Sequence, residues 1–366
     1  MAITWRLYSC DDHLDLWNLP RDVWEGRMPA RLRERAPQVV ENGGSAWWTC
    51  DGAVMGPYGT SLMKDSSAIA RAGIDDPDGG LRAADPVRRL QDMDRDGVHA
   101  SVIYGPNLFG LPIEDLELKA AALAGYNDWA AEFNRKAPER LSVLPVLPTH
   151  TPDAAAEELT RVARAGHRGV IISPYEFRCS DPEWDRFWDV AAETRLPVSF
   201  HIGRGTSQVR VVPRSWELAA FSAVGPMQLD EPLAMMIYSG VLERHPKLRL
   251  VLAESGIGWV PYFVHRMDAV AEKHVPNAQD YRLKAKPSEI FHRQVFATFE
   301  EEPLGPQLIP LLGPDNFMWA SDYPHPDSTF PLSREAVASA FAGLDAAVVK
   351  KVTVTNCATL YGFPLV

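Results

Sequence analysis

Eight short apolar runs are spaced along this chain, at 4–10, 100–104, 141–147, 169–173, 196–201, 248–254, 295–299 and 317–321. Runs that stay apolar over consecutive positions, instead of alternating, suit strands buried on both faces of a parallel sheet. Between them lie segments of helical character at 85–96, 115–137, 152–165, 181–195, 228–243, 257–273 and 303–312. The first of these has Pro86 in its opening turn and Gly97 just past its end, the asymmetry a helix favours because its first N–H groups have no partner to lose. Eight strands alternating with helices predict an α/β fold, a (β/α)8 TIM barrel. A doubly wound open sheet would bring a glycine-rich phosphate turn after an early strand, and the chain has none.

One stretch departs from this alternation. Between 16 and 85 the periodicity fades among Gly, Pro and Trp residues, with a short helix expected near 29–35. An irregular loop of that length is unusual inside a compact domain unless it serves a function. The expected organisation is one domain over 1–366, with 16–85 as an insertion after the first strand that covers the active site as a lid. Trp47, Trp48, Met55, Tyr58 and Met63 would either line a pocket there or pack the insertion onto the barrel.

Composition narrows the class. At 46% apolar and 23% charged residues the chain has the make-up of a soluble globular protein. Its formal charge is −11 with a pI near 5.4, and no Lys- or Arg-rich run is present to follow a phosphate backbone, which argues against nucleic acid as a partner. No stretch approaches a membrane span, and the first residues lack the apolar centre of a signal peptide, so a cytoplasmic location is expected. The four cysteines, at 10, 50, 179 and 357, show no CxxC spacing and are expected as reduced thiols.

Chemistry gathers where the apolar runs end. The last run opens into Asp322-Tyr323-Pro324-His325, and the first ends in Asp11-Asp12-His13-Leu14-Asp15, where strand alternation puts Asp11 and His13 on one side. The fifth run ends in His201 and the sixth in Glu254. In a barrel all of these stand at C-terminal strand ends, the face that carries active sites. Imidazoles and carboxylates converging with room for water suit Zn²⁺, Mn²⁺ or Fe²⁺. Arg204 and Arg210 follow His201 and are candidates for pairing with a substrate carboxylate, with Trp48 a candidate for its apolar part.

Taken together, Ser9-Cys10-Asp11-Asp12-His13, Phe200-His201, the stretch from Gly240 to Trp259, Ser321-Asp322-Tyr323-Pro324-His325 and the ending from Asn356 to Gly362 resemble the amidohydrolase-2 group of the amidohydrolase superfamily. These are the relatives of aminocarboxymuconate semialdehyde decarboxylase and the resorcylate-type decarboxylases. The resemblance implies that Asp11, His13, His201 and Asp322 bind a divalent transition metal, with one or two ions per chain. It implies that Asp322 can also exchange a proton with metal-bound water, in hydrolysis or decarboxylation of a small carboxylated substrate, aromatic ones included. Association as a homodimer or larger homo-oligomer is the corresponding expectation.

Two departures qualify that reading. The fourth strand lacks the lysine that bridges metals in the urease-like branch. At the end of strand six the decarboxylase relatives carry a histidine, and this chain carries Glu254. Glu254 could replace that histidine as acid/base, orient a ligand, or join His325 around a second ion. With Asp322, Glu254 and His325 as the reacting groups, the main expectation is a metal-dependent hydrolase or carboxy-lyase. The alternatives are a dinuclear-iron, O2-dependent hydroxylase on the same barrel, with Glu254 and His325 as added ligands, and a binding protein without catalysis.

Overall fold

The computed structural model describes residues 2–59, 67–76, 80–106, 112–203, 208–209, 212, 215–281 and 283–366. Its strands, in chain order, are β1 (Leu7–His13), β2 (Gln38–Asn42), β3 (Ser45–Cys50), β4 (Ala53–Pro57), β5 (Val98–Tyr104), β6 (Leu141–Val143), β7 (Val170–Ile171), β8 (Val198–His201), β9 (Leu250–Ala253), β10 (Val295–Phe299) and β11 (Phe317–Trp319). Parallel pairing runs in the order β1-β5-β6 and β11-β10-β9-β8-β7.

Two seams join these sheets into a barrel. At one, Val146 bridges Ile171 in parallel, with the Leu147 N–H donating to the Ile171 carbonyl at 2.9 Å. At the other, the Asp322 N–H donates to the Asp11 carbonyl at 2.9 Å and the His13 N–H to the Tyr323 carbonyl at 2.8 Å. The second seam links the start of the chain to the exit of its last strand through the residues that carry the candidate chemistry. The barrel strands are buried throughout most of their length, as their unbroken apolar character requires.

The first strand differs from its expected bounds. It begins at Leu7 and runs on through Asp11, Asp12 and His13, all buried. Its register against β5 slips between Ser9 and Asp12, where one extra residue is accommodated. Bulges of this kind re-aim side chains and gather beside active sites.

The helices follow the expected alternation with local changes. The first expected helix spans Pro86–Asp96; the Asp85 side chain accepts from the Val87 and Arg88 amides, and Gly97 closes it at a left-handed φ of 79°. The single helix expected over 228–243 is divided into a 3-10 turn and two helices, Asp230–Tyr238 and Val241–Arg244. The break falls at Gly240, φ 79°, where an added Cβ would meet the Tyr281 ring at 2.2 Å. Helices within 333–361, absent from the sequence expectation, follow the last strand.

The insertion is more regular than its fading periodicity suggested. β2, β3 and β4 form an antiparallel sheet, and the helix expected near 29–35 is a 3-10 helix over Ala30–Arg35. Trp48 is fully buried: its indole N–H donates to the Leu16 carbonyl at 2.8 Å, and its ring meets Trp24 edge-on at 5.0 Å. Trp24 in turn donates to the Ala122 carbonyl at 2.7 Å, docking the insertion on the helix Leu116–Asn134. Among the described residues no helix is long and apolar enough to cross a membrane.

Candidate metal centre

Asp11 and His13 leave β1, His201 ends β8, Glu254 follows β9 and Asp322 follows β11. The barrel brings all five together at its C-terminal mouth. The His13 Nε2 lies 3.4 Å from Asp11 Oδ1 and 3.2 Å from Asp322 Oδ1, and His201 Nε2 lies 3.7 Å from Asp11 Oδ1. These four atoms are buried, and none makes a hydrogen bond of proper geometry among the described residues. Glu254 Oε2 reaches the same space, 3.2 Å from His201 Nε2 and 3.6 Å from His13 Nε2.

Four buried polar atoms without partners are costly unless something else satisfies them. A divalent cation would do so, since a donor set of two imidazoles and two carboxylates fits one. The outer contacts suit the same role. His201 Nδ1 donates to the Ile202 carbonyl at 2.7 Å, which fixes the tautomer and leaves Nε2 free to ligate. Asp11 Oδ2 accepts from the Glu254 N–H and from the Thr298 hydroxyl, both at 2.7 Å, leaving Oδ1 for the centre.

The electrostatics point the same way. Burial disfavours a charged imidazole, yet Asp11 and Glu254 beside it push His201 up to about 9. His325 is raised well above its usual range against the same burial, by Asp322 and Asp15. Burial and the charge of Asp322 raise the Glu254 carboxyl, whereas His325 and His13 outweigh burial and hold Asp322 below the usual carboxylate range. Carboxylates clustered at this depth favour positive charge beside them, which a cation would supply.

Its backbone is also specialised. Glu254 and Asp322 adopt left-handed φ values of 51° and 59°. Such a conformation costs a side-chain-bearing residue about 1–2 kcal/mol, and strain of this sort collects at functional sites. Both carboxylates are thus turned sharply out of their strands towards a common point.

The sequence model of the amidohydrolase family matches residues 10–363. The chain belongs to the amidohydrolase family. It is 27% identical over 304 residues to a gamma-resorcylate decarboxylase from Rhodococcus jostii, covering 75% of this chain and 86% of that protein. The 5-carboxyvanillate decarboxylase of Sphingomonas paucimobilis shares the fold with a TM-score of 0.71 at 21% identity, over 99% of this chain and 100% of its own. A dihydroxybenzoic acid decarboxylase from Polaromonas sp. JS666, solved with bound manganese and 2-nitroresorcinol, aligns with a TM-score of 0.63 at 19% identity, over 83% of this chain and 94% of its own.

Within this amidohydrolase site, His325 lies at one side. Its ring stacks on His13 with centroids 3.9 Å apart, its Nδ1 faces Asp322 Oδ1 at 3.0 Å and its Nε2 faces Asp15 Oδ2 at 2.8 Å. Trp48, expected against substrate, is enclosed by Trp24 and Tyr58, so its reach to a ligand is corrected to a packing role. Met55 and Tyr58 also pack against the core, whereas Trp47 is 39% exposed. Arg204, Arg210 and Met63 lie outside the described residues.

Three groups at the amidohydrolase site escaped the sequence reading. Thr298 hides inside the apolar run of β10, and only its hydroxyl contact to Asp11 reveals it. Glu300 follows the end of β10, and burial, then the charges of Asp322, Glu254 and Asp11, drive its carboxyl far above the usual range. It obeys the same rule of an ionisable group ending an apolar run, and that rule could have found it. Asp12 supports the site from beneath, bound to Ser9 at 2.7 Å and Ser321 at 2.8 Å, to the Ser101 hydroxyl, and facing Arg89 at 3.5 Å.

Proposed function

We propose that this chain is a divalent-metal-dependent decarboxylase acting on a small aromatic carboxylic acid. The observation that carries the reading is the convergence of Asp11 Oδ1, His13 Nε2, His201 Nε2 and Asp322 Oδ1, four buried atoms without partners at one barrel mouth. The decarboxylases among its relatives support it, and the manganese in one of them supports a divalent ion here. An ion held by these four residues would supply a Lewis acid that fixes and polarises an oxygen-bearing substrate.

The chain's own residues account for proton movement. Loss of CO2 from a ring leaves an electron pair on carbon, which takes up a proton. Glu254 is placed to hold that proton on Oε2, because burial and Asp322 favour its protonated form. His325, held between Asp15 and Asp322, keeps a positive charge against Asp322 and fixes its orientation. The insertion would act as the cover: the Ala68 N–H donates to the Pro324 carbonyl at 3.1 Å and Arg71 to the Ser328 carbonyl at 2.6 Å, tying it to the loop after β11.

The test is CO2 release from gamma-resorcylate and 5-carboxyvanillate by protein loaded with Mn²⁺ or Zn²⁺, with Glu254→Gln beside the wild type. Release that drops about 10²–10⁴-fold in the variant is expected for a lost proton donor. No release from any hydroxybenzoic acid, together with hydrolysis of an amide, ester or lactone, would replace the lyase reading with a hydrolytic one.

A second reading rests on a different observation. The ligand atoms of His13, Glu254, Asp322 and His325 all lie within 4.8 Å of one another, as do those of Asp11, His13 and His201. His13 Nε2 has one lone pair and would serve one ion, which leaves Glu254, Asp322 and His325 as the set that would hold a second. Elemental analysis separates the readings: two irons per chain with O2 consumption would favour a dinuclear hydroxylase, and one zinc or manganese would favour the decarboxylase.

A further inference from the structure

The opposite end of the barrel carries a cleft of about 600 Å³. Arg195 stands just before β8, Lys247 and Arg249 before β9, and Asp315 before β11, while Lys351, Thr355 and Thr359 form the wall from the C-terminal helices. All the barrel residues named precede their strands or open them, so the cleft lies at the N-terminal mouth, away from the metal centre.

Its charge is anomalous for this chain. The protein has 48 acidic and 37 basic residues, yet the cleft holds four cations and one carboxylate. That carboxylate, Asp315, is already paired with Lys351. Among the described residues, Arg195, Lys247 and Arg249 form no ion pair. Burial, then the nearby charges of Arg195 and Arg293, pull the Arg249 guanidinium below its usual range. Arg195 and Lys247 are exposed and Arg249 is half-buried, and like charges gathered around one concavity repel one another, a repulsion that nearby carboxylates would readily relieve in an acidic protein.

Three local features indicate that the cluster is built. Arg249 Nη1 donates to the Pro246 and Leu248 carbonyls at 3.3 and 3.1 Å, which fixes the fork while leaving Nε and Nη2 for another acceptor. Arg195 ends the helix Asp185–Thr194 at a left-handed φ of 58°. Glycine would fit there without cost, whereas an arginine spends about 1 kcal/mol on the conformation. Across the cleft, the wall at Lys351–Thr355 is a π-helical turn, a local irregularity often found at functional sites.

We infer that this cleft is a binding site for a small molecule bearing a di- or triphosphate, gripped by Arg195, Lys247 and Arg249, with Phe296 and Leu360 offering an apolar surface to the rest of the ligand. The volume falls within the range of small-molecule pockets and exceeds what inorganic phosphate needs. Arginine forks match phosphate oxygens in pairs, and a chain of two or three phosphates offers several such pairs along the cleft where a single phosphate offers few. A ligand here would join the C-terminal helices to the strands β8 and β9 and resist their separation.

The experiment is calorimetric titration of the whole protein with pyrophosphate, ADP, inorganic phosphate and citrate, at about 50 and 300 mM salt, with thermal denaturation of the same samples. Pyrophosphate and ADP should bind, several-fold more weakly at the higher salt because exposed charges are screened. The combined Arg195→Ala, Lys247→Ala, Arg249→Ala variant should weaken them at least tenfold. Arg195→Gly suits the left-handed backbone, so it should fold at least as well as the wild type and still lose affinity several-fold. Absence of pyrophosphate and ADP binding in the wild type, undiminished binding in Arg195→Gly, or citrate binding as tightly as pyrophosphate would each overturn the assignment.

Discussion

Asp11 and Asp12 are neighbours on one strand, both are buried, and they have opposite fates. Every oxygen of Asp12 is occupied: Oδ1 accepts from Ser9, Ser321 and the Tyr323 N–H, and Oδ2 from Ser101 with the Arg89 guanidinium 3.5 Å away. Asp11 has one oxygen fixed by Thr298 and Glu254, and the other is left without a partner among two imidazoles and a second carboxylate. The first is a finished structural network, and the second leaves one oxygen suited to a cation. The bulge between Ser9 and Asp12 is what lets two adjacent aspartates serve both. The difference shows that burial of a carboxylate says little about its role until its lone pairs are accounted for.

The contrast can be broken most sharply at the reactive end. Asp322→Asn should lower turnover by about 10²–10⁴-fold and reduce bound metal, while far-UV circular dichroism stays that of the wild type. A variant retaining near wild-type turnover would remove Asp322 from the proposed role.

The next largest effect belongs to the finished network. Arg89 is fully buried, with Nη1 bonded at 3.1 Å to the His13 and Ala83 carbonyls. Replacing its charged partner, Asp12→Asn, leaves that guanidinium uncompensated and should cost about 3–5 kcal/mol in urea unfolding. The matching Asp11→Asn should change metal-free stability far less. Equal losses in the two variants would erase the distinction.

Metal removal gives the third measurement. Dialysis against a chelator should lower the wild-type thermal midpoint, and Mn²⁺ at 100 to 1,000 times its Kd should restore about 3–4 kcal/mol. Asp11→Asn should respond weakly to either treatment. A wild-type midpoint indifferent to chelation would count against the centre.

A third buried carboxylate refines the comparison at the smallest scale. Asp96 accepts from the Ser333 N–H at 2.9 Å and its hydroxyl at 2.5 Å, and burial still raises it to about 6. A carboxyl raised in the fold holds its proton better there than in the unfolded chain. Its contribution is therefore fully present below about pH 4 and is lost as pH rises through about 6. Relative to Asp96→Asn, the wild type should lose at most about 3 kcal/mol between pH 4 and pH 7. Parallel pH profiles of unfolding for the two proteins would refute this.

Much of this arrangement is legible in the sequence, because parallel strands are apolar along their length and a polar residue at the end of one stands out. Asp11, His13, His201, Glu254, Asp322 and His325 stand out in that way as candidates, and the barrel brings them together. Glu300 obeys the same rule, but two more glutamates follow it, which gives the stretch the look of a solvated turn. Asp12 and Thr298 were beyond such reasoning. One depends on a bulge that shifts the alternation, and the other sits inside a run that otherwise reads as core. Trp48 misled for a general reason: an aromatic ring in an insertion has the same composition whether it lines a pocket or fills one, and only packing against Trp24 tells them apart.

The seam that closes the barrel also sets a timetable for synthesis. Asp11 and His13 leave the ribosome early, but Asp322, which bonds back to Asp11 and faces His13, is made 311 residues later, counting 322 less 11. At about 5–20 residues per second that interval is roughly 15–60 seconds. For all of it the nascent chain holds only part of the centre, so the finished centre must be assembled late, after most of the polypeptide has emerged.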